Sequence, residues 1–173
     1  MRNTAARYGW KAKGQTKGVN SPLRCPSESK VGDIKEKDMG KIILIVEDEP
    51  KNMKLLRDLL QRFGYEILEA FDGEQGVKSA GENIPNLILM DIMMPKMDGL
   101  EATRIIKANL KTKYIPIIAL TSYAMKGDRE KTIEAGCDGY IAKPIDIQEV
   151  LKTIEYFLTT HRKEFSADKL VNK

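Results

Sequence analysis

A chain of 173 residues, 42% hydrophobic and 31% charged, is long enough for one buried core and too short for two full domains. Its net charge of +4 lies in residues 1–40, where nine Lys and Arg face four Asp and Glu, while the rest carries 20 against 21. The basic balance therefore belongs to an arm and is no sign of a nucleic-acid-binding domain, and no run approaches the roughly 18 apolar residues of a membrane helix or the apolar middle of a secretory signal. The expectation is a soluble, cytoplasmic protein without a membrane partner.

In chain order, residues 1–40 hold Gly, Lys, Ser and Pro with few large aliphatic side chains, cannot bury enough surface to offset their ordering entropy, and are expected to be disordered. Three readings of this arm stay open. Its basic residues, with no acid before Glu28, faintly resemble a transit peptide; Tyr8 and Trp10 among basic residues faintly resemble a nucleic-acid arm; and Met39, directly ahead of the first apolar run, reads as a natural start. Cys25 in the arm and Cys137 lack metal-ligand spacing and are too few for a disulfide framework, so reduced thiols are expected.

From Lys41 to about Thr160, short apolar runs alternate five times with helix-period segments, the pattern of a parallel sheet wrapped by helices. The strands are read at Lys41 to Val46, Tyr65 to Ala70, Asn86 to Met90, Ile115 to Leu120 and Gly139 to Ala142. Pro50 suits the first turn of the first helix, whose Met53, Leu56, Leu60 and Phe63 recur at helical spacing before Gly64 stops it. Asp72 with Gln75, Asp98 with Glu101 and Asp146 with Glu149 have capping-box spacing and start the second, third and fifth helices. Gly136 closes a fourth helix over Ala124 to Ala135, which has Gly127 inside it and a sparse apolar stripe, so it is expected to be the helix best able to shift. The fifth buries Ile147, Val150, Leu151, Ile154, Phe157 and Leu158, and residues 161–173, with the lone His161, read as a short polar tail.

In an open parallel sheet, ligands bind beyond the C-terminal strand ends. Glu47, Asp48, Asp91, Thr121 and Lys143 all fall immediately after such ends. Any one of them alone reads as a helix cap or a turn residue. Five at one edge read as an acidic pocket with a hydroxyl and an ammonium beside it. Clustered carboxylates repel one another unless they share a cation, and Mg²⁺ or Mn²⁺ takes hard oxygen ligands of this kind. Beside such an ion, Asp91 could act as a carboxylate nucleophile toward a phosphoryl group.

Four blocks then resemble the receiver domain of the two-component response regulators: Ile45-Val46-Glu47-Asp48, Leu89 to Gly99 containing Asp91, Ile118-Ala119-Leu120-Thr121-Ser122, and Gly139-Tyr140-Ile141-Ala142-Lys143-Pro144. The resemblance implies a flavodoxin-like, doubly wound fold with strand order 2-1-3-4-5. It implies a phosphoryl group passed to Asp91 from a phosphohistidine of a sensor histidine kinase or histidine phosphotransfer protein. It also implies a metal held by Glu47, Asp48, Asp91 and the Met93 carbonyl, a switch made of Thr121, Lys143 and an inward-swinging Tyr140, and a cis peptide between Lys143 and Pro144. Output is expected from the face of the fourth helix, fifth strand and fifth helix, with Met125, Lys126, Tyr140 and Ile145 as candidates, acting on a downstream protein.

Two departures bear on rate: Glu47 stands where many members have Asp, and bulky Met93 and Tyr123 flank the path of a hydrolytic water, so a phosphorylated lifetime of minutes or longer is expected. A Mg²⁺-dependent aspartyl-phosphate phosphatase or phosphotransferase is the alternative. Such enzymes commonly carry an acid two residues beyond the nucleophile, and that position is Met93. A flavin or nucleotide module of the same topology is disfavoured by Glu47-Asp48-Glu49-Pro50, which repels phosphate where such modules offer backbone amides. The tail is too short for a helix-turn-helix output domain, so a stand-alone regulator is expected, and Met93 makes it a switch rather than a turnover enzyme.

Overall fold

The computed structural model describes residues 40–122 and 126–167, with side chains given for 40–122 and 130–160. The expectations for the arm, Cys25, Tyr123, Met125 and the Lys126 side chain lie outside these residues. Five strands, β1 (Ile42–Val46), β2 (Glu66–Ala70), β3 (Leu87–Asp91), β4 (Ile117–Thr121) and β5 (Gly139–Ala142), alternate with α1 (Pro50–Arg62), α2 (Gly73–Asn83), α3 (Gly99–Ala108), α4 (Lys126–Ala135) and α5 (Ile147–Ala167). The strands form one parallel sheet in the order β2-β1-β3-β4-β5, so the flavodoxin-like expectation holds.

Side chains of a strand alternate between its faces, and here that alternation builds two cores. Ile43, Ile45, Leu87, Leu89, Ile118, Leu120 and Ile141 pack with Met53, Leu56 and Leu60 of α1 and Val150, Ile154 and Phe157 of α5. Leu44, Val46, Ile88, Met90 and Ile117 face the other way, toward Ala80 of α2 and Ala102 and Ile106 of α3. Each fully buried Leu or Ile contributes about 1.5–3 kcal/mol relative to exposure, which makes the three inner strands the rigid base of the sheet.

The helix starts form as read. Asp72 Oδ1 accepts the Gln75 amide at 2.9 Å, Asp98 Oδ1 the Glu101 amide at 2.8 Å, and Asp146 Oδ1 the amides of Gln148 and Glu149 at 2.8 and 3.2 Å. Gly64 (φ 76°) follows α1 and Gly136 (φ 99°) follows α4, both left-handed as a helix stop requires. Several bounds differ from the reading. β3 and β4 begin one and two residues later and take in Asp91 and Thr121 as their last residues. Asn86 instead caps β1, its side-chain oxygen accepting the Ile42 amide at 2.8 Å. α5 continues to Ala167 through what read as tail, because Arg162, Lys163 and Glu164 are good helix formers without being apolar. Cys137 is a free thiol that burial pushes up to about 11, a packing residue rather than a reactive one. Among the described residues, no helix is long and apolar enough to cross a membrane.

Candidate functional site

Register brings the site together. Val46 pairs with Met90, so Glu47 and Asp91 leave the sheet side by side; Asp91 pairs with Leu120, and Thr121 with Ala142. Glu47 continues the alternation of Ile43 and Ile45, Asp91 that of Leu87 and Leu89, and Lys143 that of Ile141, which sends all three to the α1 and α5 side of the sheet. β1 and β3 are also the strands between which the chain reverses its direction of winding, where an open parallel sheet leaves a crevice.

Lys143 Nζ lies between the two carboxylates, 3.0 and 2.8 Å from the oxygens of Glu47 and 2.7 Å from Asp91 Oδ2. The other Asp91 oxygen, Oδ1, accepts the Met93 amide at 3.1 Å. Glu47 is fully buried and Asp91 nearly so. Burial pushes the Glu47 carboxyl above its ordinary range, and the negative charge of Asp91 adds to this against the hydrogen bonds from Lys143 and Asn52. Burial alone would lower the Lys143 ammonium, but its hydrogen bonds to Asp91 and Glu47 outweigh that and hold it above the ordinary lysine value. Oxygens of Glu47, Asp48 and Asp91 lie within 4.8 Å of one another. Ligand oxygens of an octahedral Mg²⁺ stand roughly 3 to 4 Å apart, so the set fits such an ion with slight contraction, and an ammonium already occupies the space between two members.

Glu47, Asp91 and Lys143 thus meet directly, with Asp48 in the same oxygen cluster. Thr121 is buried at the end of β4, next in the sheet, its carbonyl accepting the Lys143 amide at 2.7 Å. Tyr140 is half-buried on β5 opposite Ala119, and Ile145 is half-buried against the α1 and α5 core. The Met93 side chain is 62% exposed, and its contact with Asp91 is through the backbone amide. The peptide bond between Lys143 and Pro144 is cis.

Three contributors escaped the sequence reading. Asn52, in the first turn of α1, donates from Nδ2 to Glu47 Oε1 at 3.0 Å. Gly99, at the start of α3, lies so close to the end of β3 that a Cβ there would stand 2.0 Å from the Asp91 carbonyl oxygen. Its unfavourable helix propensity at a helix start was the available signal. Lys96, left-handed at φ 66°, bonds Asp72 Oδ2 at 2.8 Å and ties the loop after Asp91 to the cap of α2, holding the Asp72 carboxyl below its ordinary range.

Residues 43–155 match the response regulator receiver domain family. This chain belongs to that family. The receiver is 44% identical over 120 residues to the polar-differentiation response regulator DivK of Brucella ovis, covering 69% of this chain and 98% of the relative. Among solved structures it is similar to the receiver domain of a sensor histidine kinase from Pseudomonas aeruginosa with a magnesium ion in its active-site cleft, at 39% identity and TM-score 0.66, covering 69% of this chain and 98% of that one. A CheY-like receiver from Methanospirillum hungatei gives 31% identity and TM-score 0.67 over 72% and 98% of the two chains.

Proposed function

We propose that this receiver is a phosphorelay switch whose phosphoacceptor is Asp91. The observation that carries the reading is a nearly buried carboxylate, 2.7 Å from the Lys143 ammonium and inside an oxygen cluster with Glu47 and Asp48, at the crevice of the sheet. The donor is a phosphohistidine of a sensor histidine kinase or a histidine phosphotransfer protein. An Asp91 oxygen attacks phosphorus as the P–N bond breaks, the imidazole leaves with the bonding pair, and an acyl phosphate forms.

Glu47, Asp48, Asp91 and the Met93 carbonyl would hold Mg²⁺ or Mn²⁺, which when bound neutralises charge on the transferring oxygens. Lys143 orients the acceptor beforehand and pairs with the new phosphoryl group afterwards, while Thr121 donates its hydroxyl to it. Met93 leaves no general acid or base two residues beyond Asp91, so turnover of free phosphate esters is not expected, and a chromogenic ester should give a flat trace. The bulk of Met93 is expected to protect the acyl phosphate for minutes or longer; loss within seconds would contradict this.

Output runs through the face of α4, β5 and α5, with Met125, Lys126, Tyr140 and Ile145, by shifting an existing equilibrium toward the active form. Support comes from α4, where, among the described side chains, Thr132 and Ala135 are buried and Ile133 is 53% exposed on the outer face. Transfer from a phosphorylated histidine domain tests the reading. Label should appear on this chain, be released by hydroxylamine as an acyl phosphate is, and require Mg²⁺; hydroxylamine-stable label would overturn it.

A further inference from the structure

Two side chains hold the Glu47 carboxylate, and they differ in what else claims them. Lys143 gives Glu47 two bonds, at 3.0 and 2.8 Å, but is shared with Asp91 Oδ2 at 2.7 Å. A cation arriving at Asp91 competes with that ammonium for the carboxylate oxygens, and a phosphoryl group arriving there competes with Glu47 for the ammonium. Asn52 reaches Glu47 Oε1 at 3.0 Å from the opposite direction in sequence, on the first turn of α1, and carries no charge. It neither repels an incoming cation nor competes with it.

A glutamate has one more rotatable bond than an aspartate, so its carboxylate needs an orienting partner to stay at a given point. Oε1 accepts from both Lys143 and Asn52, whereas Oε2 accepts from Lys143 alone among the described residues. Oε2 is therefore the oxygen with acceptor capacity to spare. A lysine or arginine at position 52 would add a competing positive charge, an aspartate would repel Glu47, and an alanine would leave the carboxylate held only by the shared Lys143.

The geometry points to Asn52 as a positioning residue: anchored on α1, it holds Glu47 by Oε1 and so sets the divalent-cation affinity of the Glu47, Asp48 and Asp91 cluster without touching the ion. This rests on the reading of that cluster as a cation site. Removing an outer partner of a metal ligand typically weakens binding about 10- to 100-fold, and the lower end is expected for a neutral donor.

The test is calorimetric titration of the full chain with Mg²⁺ alone, for wild type, Asn52→Ala, Glu47→Asp and the double variant, with thermal melts to confirm folding. Asn52→Ala should bind about 10-fold more weakly than wild type. In the Glu47→Asp background, where the shorter carboxylate does not reach Asn52, the same substitution should change affinity less than 2-fold. Equal losses in both backgrounds would make Asn52 a generic helix residue and overturn the inference, as would wild-type affinity in Asn52→Ala. No binding by the wild type would instead overturn the cation reading, and the inference with it. A second readout needs no cation: the Asn52 side-chain amide proton facing Glu47 should resonate downfield and move back in Glu47→Ala. An Asn52 signal unmoved by that substitution would also overturn the assignment.

Discussion

At the N-terminal edge of β4 and β5, Lys107 Nζ donates to Asp138 Oδ2 at 2.7 Å and to the carbonyls of Ile115 and Lys113 at 2.8 and 3.3 Å, while Asp138 Oδ2 also accepts the Ile117 amide at 2.8 Å. One ammonium meets one carboxylate, and its three donors have three acceptors. At the opposite edge, Lys143 faces two buried carboxylates, with Asp48 beside them. The first arrangement is closed and pins a strand end. The second carries surplus negative charge at a place that burial makes costly, and such an excess is retained where a cation or a reacting group will balance it.

Four changes should separate the two edges. Gly99→Ala would force a methyl onto the Asp91 carbonyl oxygen, 2.0 Å from its Cβ position. It is expected to cost about 3 kcal/mol in urea unfolding and to displace Asp91, lowering phosphoryl uptake at least in proportion. Wild-type stability and uptake would show that the strand end is not a fixed platform. Mg²⁺ at about 100 times its Kd should add about 2.7 kcal/mol to the wild type and to Lys107→Met, and nothing to Asp91→Ala. Equal gains in all three would mean that the cation does not distinguish the edges.

Lys107→Met itself should cost about 2 kcal/mol, since it leaves Asp138 and two backbone carbonyls without their partner, yet leave phosphoryl uptake unchanged. A loss of uptake in a folded variant would merge the two edges functionally. The smallest effect is on pH dependence. The folded-state pKa of Glu47 lies above its ordinary 4.5, so the folded protein holds that proton more tightly than the unfolded chain. That contribution is fully present below 4.5 and is lost as pH rises through the raised folded value. In cation-free buffer, Glu47→Gln should lose less stability than the wild type across that window; equal slopes would contradict the electrostatic account.

The strands and the residues of the acidic edge were legible because both obey local rules: runs of buried aliphatics, and polar residues placed at their ends. Gly139–Ala142 falls where it was read. The contacts that shape the edge were not legible, for different reasons. Asn52 is five residues beyond Glu47 across a turn and looks like an ordinary helix-start residue. Gly99 sits behind a capping aspartate and shows its purpose only when α3 packs against β3. Lys107 and Asp138 are separated by 31 positions, and nothing in a charged helix face announces which lysine turns inward. The end of α5 was misjudged because the apolar stripe stops at Leu158 while helix-forming residues continue.

Mass spectrometry of the intact chain after incubation with a small phosphodonor and Mg²⁺ asks whether the unbalanced edge is modified at Asp91. One added phosphoryl group is expected on the wild type and on Lys107→Met, and none on Asp91→Asn. An adduct of equal yield on Asp91→Asn would contradict it.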